Sequence, residues 1–264
     1  MKVAILFCII SLVGCWSPKA QAVDHHLWDG LLKKHVRVIN NGNSTQVDYA
    51  GIAKENDTLQ QYLQHMSLIT VKEFDSWSKN EQLAFLINSY NAWTVALILT
   101  KYPDLSSIKD LGSFFQTPWK KRFIPLLGKE RSLDDIEHNL IRGSGRYNEP
   151  RIHFAVNCAS IGCPALRAEA YRADKLEEQL EEAATTFLQD HQRNRYENDT
   201  LHISSLFKWY KKDFAQGWRG AETLHQFLAL YHDSLQIPAD QLSRMKNGEI
   251  DIRYLEYDWQ LNDT

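Results

Sequence analysis

Apolar residues recur at three- and four-residue steps in several stretches of the chain, a spacing typical of helices with one buried face. The longest such stretch begins after Ser78, where Glu81 three residues later completes a capping box. It runs to about Lys101, before Pro103 stops it. Helices are also predicted for residues 27–38, 59–66, 132–142, 173–190, 206–214 and 221–231. The pattern thus predicts helices from one end of the chain to the other.

Strands are predicted where β-branched and aromatic residues cluster or alternate with polar ones. Gly128 and Lys129 separate two short extended segments, residues 123–127 and 130–133, and this arrangement predicts a β-hairpin. Further strands are predicted for residues 47–49, 152–156, 201–204 and 250–259. Because no repeat, low-complexity tract or linker interrupts these elements, we predict a single α+β domain over residues 23–264. Its helices are expected to pack on a small mixed or antiparallel sheet.

The composition is that of an ordinary globular protein, with 264 residues of which 44% are hydrophobic and 24% charged. The formal net charge of −3 argues against nucleic acid as the main partner, because phosphate binding needs a concentrated basic surface. No motif points to a cofactor, and none is predicted. The expected partner is a small polar ligand or a peptide.

Residues 1–22 have the pattern of an export signal. The apolar run that follows Lys2 is too short to span a bilayer, and an Ala-x-Ala pattern ending at Ala22 favours cleavage there. Alternatively, a lipobox-like sequence makes Cys15 the first mature residue and the site of a lipid anchor. We therefore predict an exported protein, either periplasmic or secreted, or else a membrane-anchored lipoprotein, without a transmembrane span in the mature chain.

Removal of residues 1–22 leaves two cysteines, Cys158 and Cys163, five positions apart. In an oxidising compartment such a pair is expected either as a disulfide that closes a small loop or as a functional thiol pair. Metal ligation is disfavoured because His153 and the two cysteines lack the close two- to four-residue spacings of zinc sites. No metal is predicted, and the choice between a disulfide and reactive thiols stays open.

His153 lies five residues before Cys158, so these side chains could supply the base and the nucleophile of a thiol hydrolase. In a regular strand, however, alternation would place the two on opposite faces. The pair therefore requires the strand to end near Asn157, and otherwise His138 is the alternative base. Glu137 is the predicted residue that orients the base.

A stripe of polar residues follows one face of the longest helix and contains Glu81, Asn88 and Asn91. Burying the two amides without partners would cost about 1–3 kcal/mol each. This face is therefore either solvated or directed toward other polar groups. Together with Asn157, these side chains are predicted to bind the substrate.

Five segments carry a family resemblance. They are residues 84–92 (Ala-Phe-Leu-Ile-Asn-Ser-Tyr-Asn-Ala), 133–138 (Leu-Asp-Asp-Ile-Glu-His), 151–158 (Arg-Ile-His-Phe-Ala-Val-Asn-Cys), 163–164 (Cys-Pro) and 209–214 (Trp-Tyr-Lys-Lys-Asp-Phe). In this order, across roughly residues 45–260, they resemble the family known as domain of unknown function 547. The family is defined by its sequence and not by a reaction. Its occurrence in exported bacterial proteins and beside glutaredoxin-like domains associates it with thiol chemistry.

A more distant likeness to papain- and transglutaminase-like hydrolases implies a site of cysteine, histidine and an acid or amide. With His153 preceding Cys158, the order of these residues would be permuted. We predict a thiol-dependent hydrolase or acyltransferase with Cys158 as the nucleophile. The alternatives are a non-catalytic binding domain stapled by a Cys158–Cys163 disulfide and a thiol–disulfide oxidoreductase.

Overall fold

A computed structural model describes the protein over residues 23–113 and 115–264. Its helices are α1 (His26–His35), α2 (Tyr49–Lys54), α3 (Asn56–Ser67), α4 (Val71–Ser76), α5 (Lys79–Leu99), α6 (Leu176–Gln189), α7 (Leu206–Trp209), α8 (Leu224–Ala229) and α9 (Leu242–Lys246). Its strands are β1 (Val36–Ile39), β2 (Ser44–Val47), β3 (Ile124–Leu126), β4 (Lys129–Arg131), β5 (Arg195–Glu197), β6 (Thr200–Ser204) and β7 (Asp251–Leu255). These elements confirm the predicted α+β class. The predicted export signal and the alternative lipid anchor at Cys15 lie outside the described residues.

The longest helix, α5, begins at the predicted capping box. The Ser78 hydroxyl accepts a hydrogen bond from the Glu81 backbone N–H, and the Glu81 carboxylate accepts one from the Ser78 backbone N–H at 2.7 Å. Within the described residues α5 is the one helix long and apolar enough to cross a membrane, but 83% of its apolar window is buried inside the protein. Because α5 is buried, its length and composition are weak evidence for a transmembrane span. α3 and the helical segment at residues 135–141 pack against α5.

The strands form small sheets. β1 pairs antiparallel with β2, β3 antiparallel with β4, and β6 lies between an antiparallel β5 and a parallel β7. The predicted hairpin is confirmed, and its turn contains Leu127 and Gly128 with φ of 51° and 71°. Positive φ at both central positions matches the right-handed twist of the flanking strands. Helices therefore pack around small mixed and antiparallel sheets, as predicted.

The strand predicted over residues 152–156 is wrong, because Pro150–Phe154 forms a 3₁₀ turn. Pro150 has a preset φ suited to the first position, and the Glu149 carboxylate accepts a hydrogen bond from the Arg151 backbone N–H. The expected alternation of His153 and Cys158 across a strand therefore does not apply. The apolar residues of this turn are buried in the core, and that packing overrides their strand propensity.

The short elements α2, α4, α9 and β5 were not predicted, and β1 replaces the end of the helix predicted over residues 27–38. Further differences concern where elements begin and end. Residues 206–214 divide into α7 and a 3₁₀ turn at Asp213–Ala215, and Asp135–Ile141 forms a π-helical segment, wider than the expected α-helix. The extended piece expected at residues 47–49 stops at Val47, where β2 ends. Asp48 then caps α2 by accepting a hydrogen bond from the Gly51 backbone N–H. Such boundaries depend on caps and tertiary contacts that periodicity does not report.

Within the described residues the core consists of two hydrophobic clusters, and residues 150–159 run between them. The larger cluster is built around α1, α3 and α5 and contains Ile152 and Ala155, whereas the second is built around α6, α8 and β6 and contains Phe154. Neighbouring side chains of one short segment thus belong to different parts of the core. The backbone of the segment is consequently buried, and its N–H and C=O groups need partners inside the protein.

Arg151 connects this segment to α6 through a buried guanidinium. Its side chain is 1% exposed and contacts the carboxylates of Glu149, Glu177 and Glu181 at 2.6–2.7 Å. The guanidinium carbon also lies 4.7 Å from the ring centroid of Trp218. Burial of a cation is costly unless it is paired in this way, so the network holds the junction together.

Replacement of Arg151 should destabilise the fold. Arg151→Ala is expected to lower the free energy of unfolding by about 2–4 kcal/mol, because the largely buried carboxylate of Glu149 loses its cation. Urea unfolding measures the change. The matched control is Arg195→Ala, at a surface ion pair with Glu197, which should cost less than about 1 kcal/mol. Equal losses in the two variants would contradict a structural role for the buried network.

Candidate functional site

A cleft of about 190 Å³ opens between the π-helical segment, the loop at residues 157–164, α7 and residues 257–259. Its walls bring together five of the predicted site residues, namely Glu137, His138, His153, Cys158 and Cys163. The remaining four, Glu81, Asn88, Asn91 and Asn157, do not line it. The predicted catalytic and substrate-binding groups therefore occupy different places in the fold.

Two asparagines hold the cysteine loop to α5. Asn91 donates to the Ala155 carbonyl at 2.9 Å, and its side-chain oxygen accepts from the Asn157 backbone N–H at 2.8 Å. Asn157 in turn donates to the Pro164 carbonyl and accepts from the Ala159 backbone N–H, both at 2.8 Å. These bonds satisfy the buried backbone where no helix or sheet does so. Both amides therefore hold the loop in its observed conformation.

Asn88 and Glu81, which were predicted to bind the substrate, also lie away from this cleft. Asn88 is fully buried and exchanges two hydrogen bonds with the backbone of Tyr171, at 2.8 and 3.0 Å. Glu81 caps α5 and lines a separate cleft beside His25 and Glu169. A substrate-binding role for the polar stripe therefore receives no support from this geometry.

Cys158 and Cys163 are both free thiols, and their sulfur atoms lie 2.6 Å apart. The predicted disulfide is thus not formed in this structure. The Cys158 backbone N–H donates to the Cys163 Sγ at 2.8 Å. The Cys158 Sγ lies 3.1 Å from the Tyr257 hydroxyl and 3.2 Å from the Ser160 hydroxyl. Two sulfurs and two hydroxyls therefore form one compact cluster.

The loop reaches this geometry through a tight turn. Ala159 has φ of 59°, a left-handed conformation that reverses the chain after Cys158. A Cβ at Gly162 would lie 2.9 Å from the Asp258 carbonyl oxygen and from the Tyr257 ring, so only glycine allows the C-terminal segment to approach this closely. This close approach brings the Tyr257 hydroxyl to the sulfurs.

The two thiols differ in acidity because of this cluster. Burial raises the pKa of Cys163, but hydrogen bonds from the Cys158 thiol, the Tyr257 hydroxyl and the Cys158 backbone N–H outweigh it and lower the pKa to about 7. The hydrogen bond to Cys163, together with burial, raises the pKa of Cys158 well above its usual range. The first proton that the pair loses therefore comes from Cys163, with half of the molecules ionised near pH 7.

His153 belongs to a second buried cluster with Asp213 and Arg142. Its Nε2 lies 2.7 Å from the Asp213 carboxylate, which also accepts hydrogen bonds from the Arg142 guanidinium at 2.5 and 3.2 Å. Burial opposes ionisation of Asp213, but the bonds from His153 and Arg142 hold its pKa well below the usual range. An ionised Asp213 requires a proton on Nε2, which leaves the Nδ1 lone pair free. Burial lowers the pKa of His153, so the ring is neutral.

His138 is oriented by Arg142 and not by Glu137. The Arg142 guanidinium lies 2.5 Å from the His138 Nδ1, and since a guanidinium can only donate, Nδ1 must accept. In the neutral ring the proton is consequently on Nε2, which lies 3.6 Å from the Asp134 carboxylate. In this arrangement His138 presents an N–H donor and has no free lone pair for use as a base.

Glu137 is 4% exposed, and its Oε1 has no hydrogen-bond partner among the described residues. The nearest ring nitrogen of His138 is 3.8 Å away. Tyr210 stacks on the His153 ring at a centroid distance of 3.9 Å, and burial and the nearby Glu137 raise the pKa of its hydroxyl. The His153 Nδ1 is likewise buried and unpartnered. Two acceptors without donors thus line the same cleft.

The cleft therefore contains two separate chemical groups. Among the described residues no hydrogen bond joins either sulfur to either histidine, so the predicted cysteine–histidine pair is absent from this arrangement. The described part of the chain also contains no group of three or more histidine, cysteine, aspartate or glutamate side chains that could hold a metal ion. A dithiol and an acid–base pair are the available reactive groups.

The sequence reasoning did not assign roles to Asp213, Arg142 or Tyr257. Asp213 lies inside the segment Trp209–Phe214 that carries the family resemblance, and Arg142 is one helical turn after His138. Both could therefore have been suspected. No sequence signal pointed to Tyr257, whose contact with Cys158 spans 99 positions.

Residues 74–188 match a family model described as "Protein of unknown function, DUF547". The matched segment contains both cysteines, His153 and Glu137, whereas Asp213 and Tyr257 lie beyond its end. No curated protein matches the chain. No solved structure matches it either.

The acidity of the thiol pair can be measured directly. Reduced protein is expected to form thiolate with a midpoint near pH 7, because the pKa of Cys163 is about 7. Thiolate absorbance in the ultraviolet, followed as the pH rises, reports this midpoint. Tyr257→Phe removes a donor and should raise it by about half a unit or more. Tyr254→Phe, a control on β7 outside the cleft, should leave it unchanged, and a midpoint typical of free cysteine would refute the assignment.

Loss of the Asn91 amide should loosen the cysteine loop. Asn91→Ala is expected to lower the free energy of unfolding by about 2 kcal/mol or more, because the Ala155 carbonyl and the Asn157 N–H lose their buried partners. Chemical denaturation measures this loss. Asn139→Ala, at an exposed position, should have a much smaller effect. Similar values for both variants would show that the amide is dispensable.

Proposed function

This chain belongs to the DUF547 family, whose description assigns no reaction, and we propose that it is an enzyme of thiol–disulfide exchange acting through Cys158 and Cys163. The observation that carries the proposal is the 2.6 Å separation of two free sulfurs in a cleft. A bond between them requires an approach of only about half an ångström. The pair can therefore pass between dithiol and disulfide without moving the backbone far.

The acidity of the pair supports exchange. The thiolate is the reactive form in this chemistry, and its formation near neutral pH needs a pKa close to 7, which Cys163 has. The donors that stabilise it are a thiol, a hydroxyl and a backbone N–H, so no histidine is needed to remove the proton. This independence fits the lack of a sulfur–histidine hydrogen bond among the described residues.

The exchange is balanced in protons and electrons. Cys158 is the less buried residue of the pair and the attacking one. Its proton first moves to the Cys163 thiolate across the 2.6 Å contact, so that the negative charge of the pair lies on Cys158, which attacks one sulfur of a substrate disulfide and releases the first substrate thiolate. That leaving group takes up the proton of Cys163. The Cys163 thiolate then attacks Cys158 in the mixed disulfide, forms the Cys158–Cys163 bond and expels the second substrate thiolate. The pair loses two electrons, and the substrate disulfide gains them. In the reverse direction the same steps oxidise a substrate dithiol.

Export would suit this chemistry. The signal predicted at residues 1–22 would take the protein to a compartment where disulfides form and persist. The direction of exchange there depends on the reduction potential of the pair relative to its substrate.

Acyl transfer is the second candidate, and one observation favours it. His153 is held by Asp213 with Nδ1 unpartnered in the cleft that contains the thiolate, the arrangement of a base that awaits a proton. In this mechanism the thiolate attacks an ester or amide carbonyl, the C–S bond forms as the C–O or C–N bond to the leaving group breaks, and the leaving group takes the proton of the second thiol. His153 then accepts a proton from the attacking water at Nδ1, the C–S bond breaks to release the acid, and that proton returns to the thiol pair. This mechanism requires His153 and the sulfur to approach a common substrate atom.

Exchange can be tested with a peptide disulfide that carries a fluorophore on one half and a quencher on the other. Reduced protein is expected to separate the halves in stoichiometric amounts and to lose two hydrogens in mass as the Cys158–Cys163 bond forms. Cys163→Ser should stop at a mixed disulfide on Cys158, because the resolving thiol is absent. Cys158→Ser should lose most of the reaction, because the attacking sulfur is gone.

Three outcomes would contradict exchange in different ways. Single-cysteine variants as active as the wild type would show that the pair does not act as a unit. A thioester that accumulates on one cysteine with activated esters, and fails to turn over in His153→Gln, would favour acyl transfer. If neither thiol reacts and Cys158→Ser merely lowers thermal stability, the pair is structural and the protein is a binding domain.

A further inference from the structure

The cleft has an aromatic wall whose three tryptophans the exchange reaction does not use. The Trp209 ring stacks on Trp259 at a centroid distance of 5.7 Å, Tyr257 lies 4.5 Å from Trp259, and Trp119 meets Trp259 edge-on at 5.7 Å. Trp209 is 48% exposed despite its size. Exposed indole rings beside a reactive group indicate a surface that contacts a ligand.

The charge of the cleft is negative. Asp134 and Glu137 line it, and no lysine or arginine is among the described residues that line it. Lys109 and Lys120 act from outside this lining, on Trp259 and Asp134 respectively. Arg142 is close by, but its guanidinium is bound to Asp213 and His138. A ligand that complements this cleft is therefore positively charged.

Two buried acceptors in the cleft lack donors. The Glu137 Oε1 and the His153 Nδ1 belong to residues that are 4% and 2% exposed, and neither has a hydrogen-bond partner among the described residues. Buried polar atoms are rarely left in this state, because each costs free energy until a donor reaches it. An ammonium carries three N–H donors and can supply the missing hydrogen bond to such an acceptor.

The same aromatic wall already holds a cation on one of its rings. The Lys109 Nζ lies 3.8 Å from the ring centroid of Trp259. Lysine ammonium groups are attracted to the faces of indole rings, and most strongly where water is excluded. This contact supports the same preference for the neighbouring ring surface inside the cleft.

We propose that the cleft binds a lysine side chain of a peptide, with its ammonium directed to Glu137 and His153 and its stem against Trp209. This inference deepens the proposed function, on which it rests: the substrate of exchange is a disulfide in a basic peptide segment. The aromatic wall and the acidic groups then select the peptide, and the thiol pair performs the chemistry.

Binding can be separated from exchange by using peptides without cysteine. The probe is a capped pentapeptide of glycine and serine with lysine at its centre, and the control peptide has norleucine in that position. Calorimetry with the reduced full chain is expected to show about tenfold tighter binding of the lysine peptide. Added salt should weaken the binding of the lysine peptide and leave that of the norleucine peptide unchanged.

Variants test which residues bind the lysine side chain of the peptide. Glu137→Gln should remove the preference for lysine, and Glu178→Gln, at an exposed carboxylate on α6, should retain it. Trp209→Leu, at a position 48% exposed, should weaken binding of the lysine peptide several-fold. Equal affinity of the wild type for both peptides would overturn the inference even if exchange is observed. A lysine preference without any disulfide exchange would instead reject the proposed reaction while supporting the assignment of the cleft.

Discussion

The site depends on hydrogen bonds between side-chain amides and an irregular buried backbone. Residues 150–159 cross the interior between two hydrophobic clusters, where neither a helix ladder nor a sheet could satisfy their N–H and C=O groups. Asn91 and Asn157 supply both donor and acceptor at the critical points. An amide suits this task because it can do both without a buried charge. Because its backbone groups have hydrogen-bond partners, the segment can adopt the irregular turn that places two thiols side by side.

The boundary between the two clusters also explains why a cleft exists at this point. Ile152 and Phe154 are packed into different clusters, so the segment is anchored on both sides. Arg151 adds an electrostatic link to α6. The groups that face the gap come from elements far apart in the chain, and His153 meets Asp213 across 60 positions. Binding sites commonly form where packed units meet, because neither unit fills the space between them.

Sequence patterns were sufficient to predict the elements that are stabilised locally or that have a continuous apolar face. The capping box at Ser78, the hairpin at Gly128 and the stripe of α6 are of this kind. It failed at residues 152–156, where Ile152 and Val156 favour a strand but two packing partners favour a turn. The thiols, His153, His138 and Glu137, which were predicted to act together, line one cleft, but their roles stay a prediction. The orienting residues could not be found, because contacts such as that of Tyr257 with Cys158 depend on the tertiary fold alone. Of the two alternatives for the polar stripe of α5, solvation or polar partners, Asn88 and Asn91 follow the second, and their partners are backbone groups.

The separation of the thiol pair from the cluster of His153, Asp213 and Arg142 has an electrostatic reason. Burial alone would keep both thiols protonated, and a buried arginine beside them would need its own counter-ion. The donors around Cys163 are instead a thiol, a hydroxyl and a backbone N–H, which favour the thiolate without a second buried charge. Arg142 and Asp213 neutralise each other around His153, so this cluster adds little net field at the sulfurs. As far as the described residues extend, the Oε1 of Glu137 is then an acceptor in the cleft without a hydrogen-bond donor, and a bound cation can complete it.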